Sequence, residues 1–147
     1  MKIAIGCDPN AEAAKKELIA FIEKKGLGEV ADFGSDDTVY ANVAIKVAEA
    51  VARGEYDRGI LICGTGIGMS IAANKVKGAY AALVSDVYSA QRARLSNDAN
   101  IACMGAFTTG PKVREQMVEA FLKNEFVKGC ASQEKVDAYV SYDKKRG

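Results

Sequence analysis

The sequence predicts an α/β domain built on a five-stranded parallel sheet with helices on both faces. Two observations carry this expectation. Strand-length apolar runs alternate with helix-length amphipathic runs along the whole 147 residues, and most junctions are marked by glycine, asparagine, aspartate or proline. Right-handed crossovers follow from that alternation. A chain of this length fits one domain, residues 1–147, that buries about 68–70% of its unfolded surface.

Met1 to Asp8 reads as a buried opening strand ending on an acid. Ala11 to Lys25 follows as a helix, with Leu18, Ile19 and Ile22 at helical spacing and Asn10 placed to cap it. After Gly26 and Gly28 comes a strand from Val30 to Phe33. Gly34-Ser35-Asp36-Asp37 is turn chemistry, and an alanine- and valine-rich helix from Tyr40 to Arg53 succeeds it. Arg58 to Cys63 is the third strand, and its glycine-rich turn opens a helix from Ile67 to Asn74. Ala79 to Val84 makes a fourth strand, Val87 to Leu95 a helix and Asn100 to Met104 a fifth strand. Helices from Pro111 to Lys123 and Gln133 to Tyr142 close the chain, with Pro111 suited to a first helical turn. In a parallel sheet, ligands collect outside the carboxyl ends of the strands. Asp8, Cys63 to Gly68, Ser85, Asp86 and Gly105 to Thr109 are expected to share that rim.

Composition removes several function classes. Lys plus Arg is 20 against 19 Asp plus Glu, a formal net charge of +1 with no long basic block, which argues against nucleic acid as the main partner. The apolar runs are too short for a membrane span. Cys7, Cys63, Cys103 and Cys130 form no Cys-x-x-Cys pair, and the chain has no histidine to complete a zinc set, so no metal site is expected. With no secretory leader before the first strand, the cysteines read as reduced thiols in a cytoplasmic protein. Without imidazole, any acid or base chemistry must use another side chain.

The central motif is Gly59-Ile60-Leu61-Ile62-Cys63-Gly64-Thr65-Gly66-Ile67-Gly68-Met69-Ser70-Ile71-Ala72-Ala73-Asn74-Lys75. Gly64, Gly66 and Gly68 let backbone N–H groups turn toward one point, and the start of a helix adds partial positive charge, as an anion cradle requires. A tight strand-to-helix corner is the plainer reading. A dinucleotide site fits poorly, because the third fingerprint glycine falls on Met69 and the loop follows the third strand instead of the first. No Gly-Lys-Ser/Thr follows, which removes a Walker loop. Cys63 beside a helix start is either strand-end packing or a reactive thiol; Cys7 and Cys103 lie inside strands and read as core, and Cys130 lies in a loop. A thiol redox enzyme is disfavoured, since no resolving cysteine lies near Cys63.

Ile5-Gly6-Cys7-Asp8, Asp32-Phe33-Gly34, Gly59 to Lys75, Asp86-Val87-Tyr88-Ser89-Ala90 and Asn97-Asp98-Ala99-Asn100 together resemble the ribose-5-phosphate isomerase B and galactose-6-phosphate isomerase family. The similarity runs over nearly the whole chain. It implies a three-layer Rossmann-like fold and a homodimer, often paired into a tetramer, whose active sites draw on two subunits. It also implies an aldose–ketose isomerase of a phosphorylated monosaccharide, needing no metal or organic cofactor. By the same resemblance Cys63 is the base that shuttles a proton between C1 and C2 through a cis-enediolate, and Thr65 assists proton movement between oxygens. Gly64, Gly66, Ile67 and Gly68 contribute the amide cradle, and Asp8, Tyr40 and Asn97 bind substrate.

The chain also departs from the family pattern. The opening motif continues Asp8-Pro9-Asn10-Ala11 where the family has Asp-His-Ala-Gly, so a phosphate-binding histidine is missing. Ser96 stands where the family's ring-opening histidine lies, and Phe107 where an arginine often lies. Lys135, Arg92 and Arg94 are the replacement phosphate ligands considered; Arg92 and Arg94 are two apart on one helix, so one is expected to face the site and the other solvent. A pentose 5-phosphate closes through its C4 hydroxyl, whereas a tetrose 4-phosphate has that oxygen esterified and stays acyclic. The expected substrate is therefore erythrulose 4-phosphate or erythrose 4-phosphate, as in the four-carbon branch of the family, with ribose 5-phosphate as the alternative. A subunit of a hetero-oligomeric isomerase is the third reading.

Overall fold

A computed structural model describes residues 1–147. In chain order it contains β1 (Lys2–Cys7), a 3-10 turn (Pro9–Ala11), α1 (Glu12–Lys25), β2 (Glu29–Asp32), α2 (Tyr40–Ala52) and β3 (Arg58–Cys63). There follow α3 (Ile67–Ala73), β4 (Ala81–Leu83), α4 (Val87–Leu95), β5 (Ile101–Gly105), α5 (Pro111–Lys123) and α6 (Gln133–Lys145). All five strands are parallel, in the order β2-β1-β3-β5-β4. No helix is long and apolar enough to cross a membrane.

Strand alternation sorts the core into two layers. Ile3, Ile5, Ile60, Ile62, Ala102 and Met104 face Leu18, Ile22, Ala90, Met117 and Phe121 of α1, α4 and α5. Ala4, Leu61, Cys63, Ile101 and Cys103 point the other way, toward Val43, Val47, Met69 and Ala73 of α2 and α3. Cys7 and Cys103 are core, as their strand positions suggest. Burial raises the Cys7 thiol to about 11, against the opposing pull of Lys15, and raises Cys103 further.

Four local differences from the sequence expectation have clear causes. Asn10 caps nothing: Pro9 starts a turn directly after Asp8, so Asp8 takes the cap position and its Oδ1 accepts the Ala11 N–H at 3.2 Å. β4 is three residues long because Tyr80 is held by Asn100 ahead of the ladder, its N–H donating to Asn100 Oδ1 and its carbonyl accepting from the Asn100 N–H. α6 runs to Lys145, tied down where Tyr80 Oη and the Gly78 N–H both donate to Asp143. Arg94 is neither solvated nor near the rim. It is 3% exposed and donates to Asp98, Glu125 and the carbonyls of Ala99 and Asn124, which knits the α4–β5 turn to the end of α5.

Lys15 is 2% exposed, with its ammonium 2.8 Å from Asp32 Oδ1. Burial opposes charge on Asp32, but the Lys15 hydrogen bond, the Gly34 N–H and the nearby ammonium outweigh it and hold the carboxyl below its ordinary 3.8. The folded chain therefore takes up this proton less readily than the unfolded chain. The stabilisation is present above the unfolded value and is lost as pH falls through the lower folded one. Asp32→Asn should lower the melting temperature near neutral pH, and the variant should lose less further stability than the parent between about pH 4 and 2. Parallel acid limbs in the two melting curves would show that the pair contributes nothing.

Candidate active site

The chain leaves β1 toward β2 on one side and later returns to lay β3 on the other, so a crevice opens between the carboxyl ends of β1 and β3. Cys7 pairs in register with Ile62, which sets Asp8 opposite Cys63 across that crevice. The Asp8 N–H donates to Ile62 O at 3.2 Å and extends the ladder into the rim. On the far side of β3, the loop after β5 is hydrogen-bonded to the same corner. The Ala106 N–H donates to Cys63 O at 2.8 Å and the Phe107 N–H to Gly64 O at 2.9 Å.

Cys63 is 7% exposed, and its Sγ accepts the Gly66 N–H at 3.0 Å. That hydrogen bond requires Gly66 to sit in the left-handed region at φ 81°, where a side chain would also run into Leu83 and the Met104 backbone at 2.8 Å. Thr65 Oγ1 accepts the Ile67 N–H at 3.2 Å, leaving its own proton free. The Gly66 and Ile67 amides are thus used within the turn, where the sequence had all of the cradle facing a ligand. The N–H groups of Gly64 and Thr65 have no acceptor in the chain, and Gly68 in the first turn of α3 has none within the helix. These three are the free donors of the cradle. The Tyr40 ring lies against Gly68, which has room for it only because it lacks a Cβ, and the Tyr40 hydroxyl is unpaired at the rim. The structure therefore brings Asp8, Tyr40, Gly64, Thr65, Gly66, Ile67 and Gly68 to Cys63.

It does not bring the others there. α4 starts at the carboxyl rim, where Asp86 caps it by accepting the Ser89 N–H at 2.7 Å, and runs back to the amino ends of the strands. Ser96 and Asn97 follow its last turn and precede β5, so they lie at the opposite end of the sheet from Cys63. Arg92 is there too, with its Nε donating to Ser96 Oγ at 2.7 Å. α6 packs at that end, where Tyr139 Oη donates to Asn97 O, and Lys135 is exposed in its first turn. The candidate residues form two groups at opposite ends of one chain. Between Tyr80, Asn97, Tyr139 and Asp143 lies a cavity of about 410 Å³ that sequence reasoning missed, because α6 carries no motif.

The Cys63 end is also apolar where it meets solvent. Val39, Tyr40, Ile67, Ile71, Leu83, Val87 and Tyr88 are all exposed around it, and Phe107 lies against Gly64 with 74% of its surface bare. Phe107 thus stands exposed beside the Cys63 turn and is no part of the core. All of these are large apolar side chains left in water at the same end of the sheet as Cys63.

Comparison with known proteins agrees with this geometry. A family model described as Ribose/Galactose Isomerase matches residues 3–139. A Listeria innocua protein named Ribose-5-P isomerase B is 48% identical, with 99% of each chain covered. D-erythrulose-4-phosphate isomerase 2 of Mycolicibacterium smegmatis is 46% identical, with 97% of each covered. Among solved structures, Clostridium thermocellum ribose-5-phosphate isomerase B superposes with a TM-score of 0.91 at 43% identity over 99% of both chains. Fold, crevice and sequence thus converge: the chain belongs to the ribose/galactose isomerase family of enzymes.

Proposed function

We propose that the chain interconverts ribose 5-phosphate and ribulose 5-phosphate, with Cys63 as the base. The observation that carries the mechanism is the Cys63 thiol set beside three unpaired amides and opposite Asp8. With an aldose bound, the Cys63 thiolate removes the proton from C2, and the electron pair moves through a C1–C2 double bond onto O1. The same thiol returns the proton to C1 as the O2 proton passes to O1, so no atom is gained or lost. The Gly64, Thr65 and Gly68 amides are the unpaired donors this reading assigns to the enediolate oxygens, and a preorganised donor of this kind is worth about 2.7–4 kcal/mol. The Thr65 hydroxyl, held by the Ile67 N–H, is the group free to pass a proton between O1 and O2. Asp8 and Tyr40 offer an acceptor and a hydroxyl to the sugar.

The relatives' names support ribose 5-phosphate. A second reading has its own observation: the chain has no histidine, and Ser96 at the family's ring-opening position has its oxygen engaged by Arg92. An acyclic tetrose 4-phosphate needs no ring opened. Turnover of ribose 5-phosphate beside erythrulose 4-phosphate and erythrose 4-phosphate separates the two. A higher kcat/KM on the pentose supports the first reading, and a tenfold or greater preference for a tetrose overturns it in favour of the second. In either case Cys63→Ala should lower kcat by about 10²–10⁴, the usual worth of a positioned base, and full activity would remove Cys63 from the mechanism.

We infer as well that a second copy completes the site, its Ser96 and Asn97 meeting this chain's Cys63, with Arg92 and Lys135 on the same side as candidate phosphate ligands. The two groups at opposite ends and the bare apolar side chains around Cys63 support this. Cys63→Ala and Asn97→Ala variants should each be inactive alone. Unfolded and refolded together in equal amounts, they should recover about a quarter of parental activity, because half the dimers are mixed and each holds one intact site. No recovery would place Asn97 outside the shared site. A parent protein inactive on every sugar phosphate until a related chain is added would show a hetero-oligomeric enzyme.

A further inference from the structure

We propose that Arg114 is a positioning residue for Cys63, acting through the loop after β5; this rests on Cys63 being the base. Arg114 lies in the first turns of α5, 6% exposed, in a place where an apolar side chain would pack at lower cost. Its Nη1 donates to Thr109 O and to Ala106 O, the latter at 3.4 Å, and its Nη2 lies 3.6 Å from Glu17 Oε2 on α1. Its Nε is buried without a partner. Burying a guanidinium with one donor unmet is a standing penalty, and such groups persist where their geometry serves something else.

The two carbonyls it holds are the two ends of a four-residue turn. That turn is closed by Thr109, whose Oγ1 donates to Gly105 O at 2.6 Å. Within it, the Ala106 and Phe107 amides donate to the carbonyls of Cys63 and Gly64. One guanidinium thus fixes the Ala106 peptide from below while the same segment fixes the Cys63 and Gly64 peptides from above. Arg114 touches neither the thiol nor the crevice. Its fork shape matters, since an ammonium supplies a point charge and not a planar group that aims N–H donors at two carbonyls while its other nitrogen faces a carboxylate 3.6 Å away. Removing it frees the loop to shift, and displacement of a reacting group by about 1 Å costs on the order of 10²-fold in rate.

The test compares Arg114→Met and Arg114→Lys in a Cys130→Ser background, following kcat, KM and the rate at which iodoacetamide alkylates Cys63. Alkylation reports the placement of the thiol whether or not it is the base, so a failure of the base assignment, seen in Cys63→Ala, stays separate from a failure of this one. Arg114→Met should lose about 10- to 100-fold in kcat, keep KM within about threefold and alkylate at a rate changed by at least about threefold. Arg114→Lys should fall between Met and parent on both kcat and alkylation. A lowered melting temperature with parental kcat and alkylation in Arg114→Met would make Arg114 a stability residue only and overturn the proposal. If Arg114→Met fails to fold, Arg114→Lys decides alone: parental kcat and alkylation in that variant overturn the proposal, and an intermediate loss in kcat with unchanged KM supports it.

Discussion

The pairing of β1 with β3 is the constraint on which the rest depends. Both strands are buried on both faces, so their register is set by which side chains enter which layer, and a slip of one residue would exchange the layers wholesale. With Cys7 held opposite Ile62, Asp8 and Cys63 emerge together at the carboxyl rim. The same parity turns Cys63 toward α2 and α3, the layer that supplies Tyr40 and the glycine turn. The candidate site is therefore a consequence of sheet register, and loops elaborate a placement that the strands have already made.

The turn after Cys63 divides its donors. Gly66 gives its N–H to the thiol and Ile67 gives its N–H to Thr65, so two amides orient those side chains, while Gly64, Thr65 and Gly68 remain open. A seven-residue α3 adds little field of its own, and the work falls to individual N–H groups at defined positions. Arg114 extends the same division one layer outward, holding the loop whose amides hold the Cys63 and Gly64 peptides. The separation of Ser96 and Asn97 from Cys63 by the length of the sheet gives the chain two incomplete ends. The second copy proposed above would cover apolar side chains that a lone chain exposes to water at a cost of roughly 25 cal/mol per Å².

Much of this was legible from residues alone, for identifiable reasons. The strands and helices follow from hydrophobic periodicity, and the rim position of Asp8 and the Cys63 turn follows from the rule that ligands gather at the carboxyl ends of parallel strands. The errors lie where one residue overrides a local rule. Pro9 moved the cap from Asn10 to Asp8. Arg94 on a polar-looking helix is buried, because Asp98, Glu125 and two carbonyls converge on it from segments up to 31 positions away. A different matter is which end of the chain a residue reaches: Arg92 and Lys135, the candidate phosphate ligands, lie at the end away from Cys63, since the direction of α4 and the docking of α6 decide it and no local pattern does.

By itself the sequence determined the fold class, the parallel sheet, the thiol beside a glycine turn, and the absence of imidazole from the chemistry. These depend on side-chain period and residue identity, which are local properties. Only the tertiary structure decided which amides of the turn stay free, that Phe107 is exposed against Gly64, that Arg114 holds the neighbouring loop, and that the candidate residues of one chain lie at opposite ends of the sheet. Those depend on contacts between segments distant in sequence, and no local pattern encodes the partner of a buried hydrogen bond.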